Sequence, residues 1–316
     1  MLTYFLFIVG FIFLIKGADL LVEGASSLAK KFGVSSLAIG LTVVAFGTTM
    51  PELIVNLFAS FNNANDLAVG NILGSNITNI LLILGIAALI SPIIIREGTV
   101  KREIPFSFLV ILILGILVND SISGFSTLTL SRSDGLILLL FLSIFIYYSF
   151  IIYKIKGEHP EHIPEYRLWP SLERVLGGAA ALLIGAHWIV EGAIKLAAFF
   201  NLSQALIGLT VIAIGTSLPE LATSITAARK NKCELAVGNL IGANILNISW
   251  ILGISSVIQP LNFSANLNFD ILMVMLATVV AFLFMFVGKK NILERWQGGV
   301  MVGLYVLYIG YLIVRG

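Results

Sequence analysis

Residues 47–52 read Gly-Thr-Thr-Met-Pro-Glu, and residues 215–220 read Gly-Thr-Ser-Leu-Pro-Glu. The offset of 168 holds around both strings: Gly70-Asn71 matches Gly238-Asn239, Gly74 matches Gly242, Asn76 matches Asn244, and Asn79 matches Asn247. From Gly40 to Gly85, 25 of 46 positions equal the residue 168 places later, so the chain is two copies of one unit. Upstream, Gly17-Ala18 matches Gly185-Ala186, and Val22-Glu23-Gly24-Ala25 matches Val190-Glu191-Gly192-Ala193. Each copy places a glutamate inside an apolar segment, where a carboxylate is costly and marks function by default.

The 316 residues are 58% hydrophobic and 11% charged, with a mean hydropathy of +1.02. A soluble domain carries about 25% charged residues, so lipid is the solvent for most of this surface. A bilayer span needs about 20 apolar residues. Ten stretches qualify, roughly 2–27, 36–60, 66–91, 104–119, 134–153, 172–197, 204–228, 234–259, 268–288 and 297–314. Their pattern is helical rather than alternating, which argues against a β-barrel. An all-α integral membrane protein with ten transmembrane helices is expected. Cys233 stands alone, which excludes an intramolecular disulfide. The three histidines lie in separate regions, and the net charge of +2 gives no sign of nucleic acid as a partner. The start, MLTYFLFIVG, lacks a basic region and a cleavage site, so it reads as a permanent first span, with Lys16 too deep to be a signal-peptide charge.

Connections between spans alternate between two sides. One side receives Lys30, Lys31, Arg96, Lys101, Arg102, Lys154, Lys156, Arg167, Arg174, Arg229, Lys230, Lys232, Lys289, Lys290 and Arg295, and the other only Arg132 and Arg315. The basic side is expected to be cytoplasmic in a multi-pass protein of the cell membrane, with both termini extracellular. Five spans per half force the second copy to enter from the opposite side, giving two inverted-topology five-helix repeats, an arrangement common in secondary transporters. The expected units are 1–153, a cytoplasmic linker 154–171 containing Pro160, Pro164 and Pro170, and 172–316.

Glu52 lies near the middle of its span. Pro51 has no N–H, so the Gly47 carbonyl loses its helical partner, and Gly47 adds backbone freedom. A kinked or broken helix with loose carbonyls at Ala45, Phe46 and Gly47 is expected, and in lipid such carbonyls need a partner, for which a cation serves. Thr48 and Glu52 are four apart and share a helix face, as do Ser75 and Asn79, Thr216 and Glu220, and Ala243 and Asn247. Four segments can thus present carboxylate, amide, hydroxyl and carbonyl oxygens to one centre. Hard oxygen ligands suit calcium, and sodium equally, but not zinc, copper or iron. Two glutamates balance one divalent ion or attract several monovalent ones; a site that holds either set in turn is an antiporter site.

At these residues the chain resembles the sodium/calcium exchanger family of the calcium/cation antiporter superfamily, in its prokaryotic form without a regulatory domain. The resemblance covers the whole layout and is strongest over 38–85 and 206–253, in the strings GTTMPE…GNILGSNITN and GTSLPE…GNLIGANILN. It implies transported Ca2+ and Na+ and no cofactor. It implies a central calcium site of Glu52 and Glu220, with backbone oxygen from Thr48 and Thr216. It also implies sodium sites using Thr49, Ser75, Asn79, Ser217 and Asn247 with carbonyls of Ala45 and Ala213, and sliding of the first and sixth spans to alternate access. Two positions depart from the pattern. Ala243 lacks the hydroxyl that Ser75 keeps, and Asn247 replaces a carboxylate carried by the potassium-dependent branch, which argues for a potassium-independent exchanger.

Plainer readings stand beside these. Each glutamate could be a protonated carboxyl joining helices, Asn79 and Asn247 packing amides, and Thr48, Thr49, Thr216 and Ser217 hydroxyls bonded to their own helix. Asn71, Asn76, Asn239 and Asn244 read as packing or backbone-satisfying residues, and Gly70, Gly74, Gly238 and Gly242 as close-packing glycines. Lys16, Asp19 and Glu23 read as a charge ladder on the first span, echoed by Glu191 and Lys195. The leading function is sodium/calcium antiport; the alternatives are proton/calcium antiport through the same glutamates and a cation channel. An intramembrane enzyme would need a nucleophile with a base, or a metal held by His or Cys, and no in-span serine has a histidine partner near the repeat centre.

Overall fold

A computed structural model of the chain describes residues 2–62, 64–119, 128–153, 165–199, 213–264 and 266–315. Residues 154–164 of the expected linker and 204–212 of the expected seventh span lie outside them. The first helix, α1 (Leu2–Phe32), runs past the expected end at 27 and stops on local signals. Lys30 and Lys31 occupy its last turn, Gly33 follows in the left-handed region at φ 65°, and the Val34 N–H closes back on the Ala29 carbonyl at 2.9 Å. Ser35 then caps the next helix through the Ala38 N–H at 3.2 Å.

That next span is broken. Helices α2 (Ser36–Thr48) and α3 (Met50–Phe61) meet at 46°, with Thr49 at φ −81°, ψ 3° and Pro51 in the first turn of α3. Then come α4 (Asn65–Ile90), strand β1 (Ile93–Ile94), the short α5 (Glu97–Lys101), α6 (Glu103–Val118), strand β2 (Thr129–Leu130) and α7 (Arg132–Tyr153). The second half repeats this order, with no counterpart of α5 among the described residues. It has α8 (Leu168–Phe199), α9 (Ala213–Thr216), α10 (Leu218–Arg229), α11 (Cys233–Ile258), strand β3 (Leu261–Asn262), α12 (Leu267–Phe284), strand β4 (Ile292–Leu293) and α13 (Arg295–Arg315). The α9–α10 junction copies the first break, with Ser217 at φ −85°, ψ 6° and Pro219 just after it.

Among the described residues seven helices are long and apolar enough to cross a membrane, or eight if the bent pair α2–α3 counts as one span. Of the other two expected spans, α6 has only 16 residues and the seventh is described only from Ala213 onward.

Two small ladders tie the halves together: β1 pairs antiparallel with β4, and β2 with β3. A core of buried Leu, Ile, Val and Ala joins α4, α6, α11, α12 and α13, and a second cluster lies along α1 and α8. Close approach of helices decides where glycine is needed. A Cβ on Gly17 would lie 2.9 Å from the Gly178 carbonyl of α8, and one on Gly238 would lie 2.7 Å from the Leu37 carbonyl of α2. Gly242 packs equally tightly against Leu41, as the sequence suggests, whereas Gly70 faces open space, so its expected packing role does not hold.

Candidate functional site

The two breaks and the two long helices α4 and α11 converge. Glu52 and Glu220 sit in the first turns of α3 and α10, and each is 1% exposed. Thr48, Thr49, Ser75, Asn79, Thr216, Ser217 and Asn247 are buried around them. Ser75 donates to Glu52 Oε1 at 3.0 Å and shares a hydrogen bond with Ser217 at 2.7 Å, so one hydroxyl of the first half touches both breaks.

Each threonine hydroxyl reaches across to the other half, where it meets the opposite glutamate and an asparagine. Thr48 Oγ1 donates to Asn239 Oδ1 at 3.0 Å, and its counterpart Thr216 Oγ1 donates to Asn71 Oδ1 at 3.2 Å. The Ala45 carbonyl differs from expectation. It accepts from the Thr49 N–H at 3.0 Å and the Thr49 hydroxyl at 2.8 Å, because the break still closes its last turn. It is therefore a satisfied group rather than a loose one. Ala213 opens α9, the helical turn just before the second break.

Four asparagines close the floor of the site. Asn79 Nδ2 donates to Asn244 Oδ1 and Asn247 Nδ2 to Asn76 Oδ1, both at 2.9 Å. Asn76 Nδ2 donates to the Asn244 carbonyl at 3.2 Å, and Asn244 Nδ2 returns the bond to the Asn76 carbonyl at 3.4 Å. Asn79 and Asn247 fall in π-helical segments, Thr78–Leu84 and Asn247–Leu252, and such wide turns recur at functional sites.

What is left over defines the chemistry. Glu52 Oε2, both Glu220 oxygens, Asn79 Oδ1 and Asn247 Oδ1 are buried with no hydrogen-bond partner. Each such acceptor costs about 1–3 kcal/mol unless something answers it. All five belong to residues singled out by sequence, and all are oxygens, the atom type that a hard cation takes. Among the described residues no group of three or more His, Cys, Asp or Glu could hold a metal ion, so the oxygen set is mixed rather than a carboxylate or imidazole cluster.

Asn71, Asn76, Asn239 and Asn244 read from sequence as packing or backbone-satisfying residues; Asn76 and Asn244 do satisfy backbone carbonyls, and all four also bond a site residue. Their recurrence at one fixed offset was the available signal. The expected ladder on α1 is also redrawn: Asp19 and Glu23 bond Lys230 of the other half, at 2.9 and 3.1 Å, and Lys16 is exposed. On α8, Glu191 and Lys195 pair as expected at 3.2 Å. Burial lowers the Lys230 ammonium, but its bonds to Asp19 and Glu23 more than reverse that and hold it above the usual lysine range.

Residues 2–151 and 174–314 match the model of a family described as sodium/calcium exchanger protein. The chain is 33% identical over 341 residues to the sodium/calcium exchanger MaX1 of Methanosarcina acetivorans, covering 97% of each. It is 41% identical over 267 residues to the inner membrane protein YrbG of Escherichia coli (strain K12), covering 81% of this chain and 79% of that one. Its fold superposes on the solved sodium-calcium exchanger NCX_Mj, soaked with 10 mM Na+ and zero Ca2+, with a TM-score of 0.85, 32% identity and 98% of each chain covered.

Proposed function

Because this chain belongs to the sodium/calcium exchanger family, whose members are membrane antiporters and not enzymes, we propose that it expels Ca2+ in exchange for Na+ by alternating access at one midplane site. The observation that carries the reading is the set of five buried, partnerless oxygens on Glu52, Glu220, Asn79 and Asn247. Glu52 and Glu220 take calcium, with carbonyl oxygen from Thr48 and Thr216. Sodium uses Thr49, Ser75, Ser217, Asn79 and Asn247 with the Ala213 carbonyl. The Ala45 carbonyl joins them only when the Thr49 hydroxyl turns off it. Two carboxylates neutralise one calcium or several sodium ions, so each set excludes the other, which is the condition for antiport.

The reading includes ten helices in two five-helix repeats of inverted topology, 1–153 and 172–316, joined by a cytoplasmic linker, with both termini outside. The exchange of strands between halves, β1 with β4 and β3 with β2, supports it, because a two-fold relation between repeats maps one ladder onto the other. Purified protein in proteoliposomes, loaded with sodium and diluted into sodium-free buffer at clamped potential and pH, should take up radioactive calcium. Uptake that ignores sodium and follows an imposed pH gradient would instead make the glutamates proton carriers. Uptake that follows neither gradient and runs down the calcium gradient alone would make the protein a channel.

A further inference from the structure

Resting on that reading of the site, we infer that Asn76 and Asn244 are positioning residues that select which end of the Asn79 and Asn247 amides faces the ion. A carboxamide has an oxygen end and an NH2 end of nearly equal size, and a rotation about χ2 exchanges them. With the oxygen inward the group is a cation ligand; with the NH2 inward it repels the cation. Steric fit does not choose between the two, so a hydrogen bond must.

The bonds needed are present, and they cross between the halves. The NH2 of Asn79 is taken by Asn244 Oδ1, and the NH2 of Asn247 by Asn76 Oδ1. Each holder is itself fixed, because its own NH2 is spent on the backbone carbonyl of the opposite holder. A backbone carbonyl can only accept, so the holders cannot flip without losing that bond, and the ligands cannot flip without setting NH2 against NH2 or oxygen against oxygen. After all donors are assigned, only Asn79 Oδ1 and Asn247 Oδ1 of this network remain without partners. All four residues are at most 2% exposed, so the network is shielded from bulk water.

The pairing is specific: Asn244 acts on Asn79, and Asn76 acts on Asn247. Purified full-length protein would be melted over a series of Na+ concentrations, since an ion that binds only the folded state raises the melting temperature by mass action. Asn244→Ala should raise the sodium concentration needed for half of the shift by about ten-fold, and in an Asn79→Ala background it should do nothing further. In an Asn247→Ala background the effect of Asn244→Ala should persist, because the Asn244 backbone carbonyl still holds Asn76. Should Asn244→Ala fail to fold, the same cycle is run with Asn76→Ala and Asn247→Ala. Additive effects of Asn244→Ala and Asn79→Ala, or no change in sodium dependence in Asn244→Ala, would overturn the assignment. A wild type whose melting responds to sodium but which does not exchange calcium would refute antiport while leaving this test intact, and a wild type with no response to sodium would overturn both.

Discussion

Ser75 bonds Glu52 at 3.0 Å, whereas Ala243, the residue 168 places later, offers Glu220 nothing. The asymmetry runs through both breaks. Ser217 has Ser75 as a hydroxyl partner across the site, and its counterpart Thr49 turns back on the Ala45 carbonyl of its own helix. Ala243→Ser should supply the absent hydroxyl, giving Glu220 a donor and Thr49 a partner. Sodium-driven calcium uptake in this variant should show a changed sodium half-saturation or Hill slope. A sodium curve superposable on wild type would mean that the methyl group at 243 is not what limits that side of the site.

Neutralising either glutamate should separate function from folding. Glu52→Gln and Glu220→Gln keep the shape and remove a buried charge, so each should lower sodium-dependent calcium uptake to background. Neither should lower the melting temperature in ion-free buffer, because an uncompensated buried charge costs several kcal/mol. Ca2+ should stabilise wild type and not the variants. Wild-type flux in either variant would remove that glutamate from the site.

The repeat made the breaks and the two acidic turns legible, because each depends on local residues such as Pro51 and Pro219, whereas nothing in the Gly-Asn strings announced the π segments. What did not repeat in step was hidden. Tyr148 donates to Glu103, and Tyr308 donates to Asp270 at 3.0 Å, a matched tyrosine–carboxylate pair in each half. Connections of unequal length put these residues out of the 168 register, so comparison at a fixed offset passes over them. The direction of the Thr48 hydroxyl was equally illegible. A threonine in a helix can bond its own carbonyls, as Thr48 does to Ala45 at 3.4 Å, and nothing local announced its shorter bond to Asn239 of the other half. Lys16 was the nearest cation in sequence to Asp19, but three residues along a helix said nothing of Lys230 from the second half.

The clamp at the end of α13 tests which polar contacts serve the frame and which serve the site. Asp270 accepts from Tyr308 and from both terminal nitrogens of Arg315, at 3.0 to 3.2 Å. Removing one member strands the others in a largely buried place, so Asp270→Ala should cost about 3 kcal/mol of stability. Its sodium and calcium half-saturation should be those of wild type, since no site residue is touched. A shift in ion dependence without loss of stability would reverse that division.

Lys230 fastens α10 to α1 by bonding both Asp19 and Glu23, and among the described residues the matching place in the first half shows no such link. Asn62 stands 168 residues before Lys230 and bonds back to Phe58 of its own helix at 2.8 Å, while Glu191 is taken by Lys195. If α1 and α8 slide against the rest during transport, this clamp must open in each cycle. Lys230→Ala should therefore lower stability by about 0.5–1 kcal/mol, the scale of a half-exposed ion-pair network, while raising the maximal exchange rate. The pH dependence has a definite sign. A lysine whose folded-state pKa is raised contributes fully below the unfolded value near 10.4 and loses that contribution only as pH climbs through the folded one. Across pH 6 to 9 the melting-temperature gap between wild type and Lys230→Ala should stay flat, and it should shrink above pH 10. A gap that closes already between pH 7 and 9, or a variant with unchanged stability and unchanged rate, would show that Lys230 does not clamp the two helices.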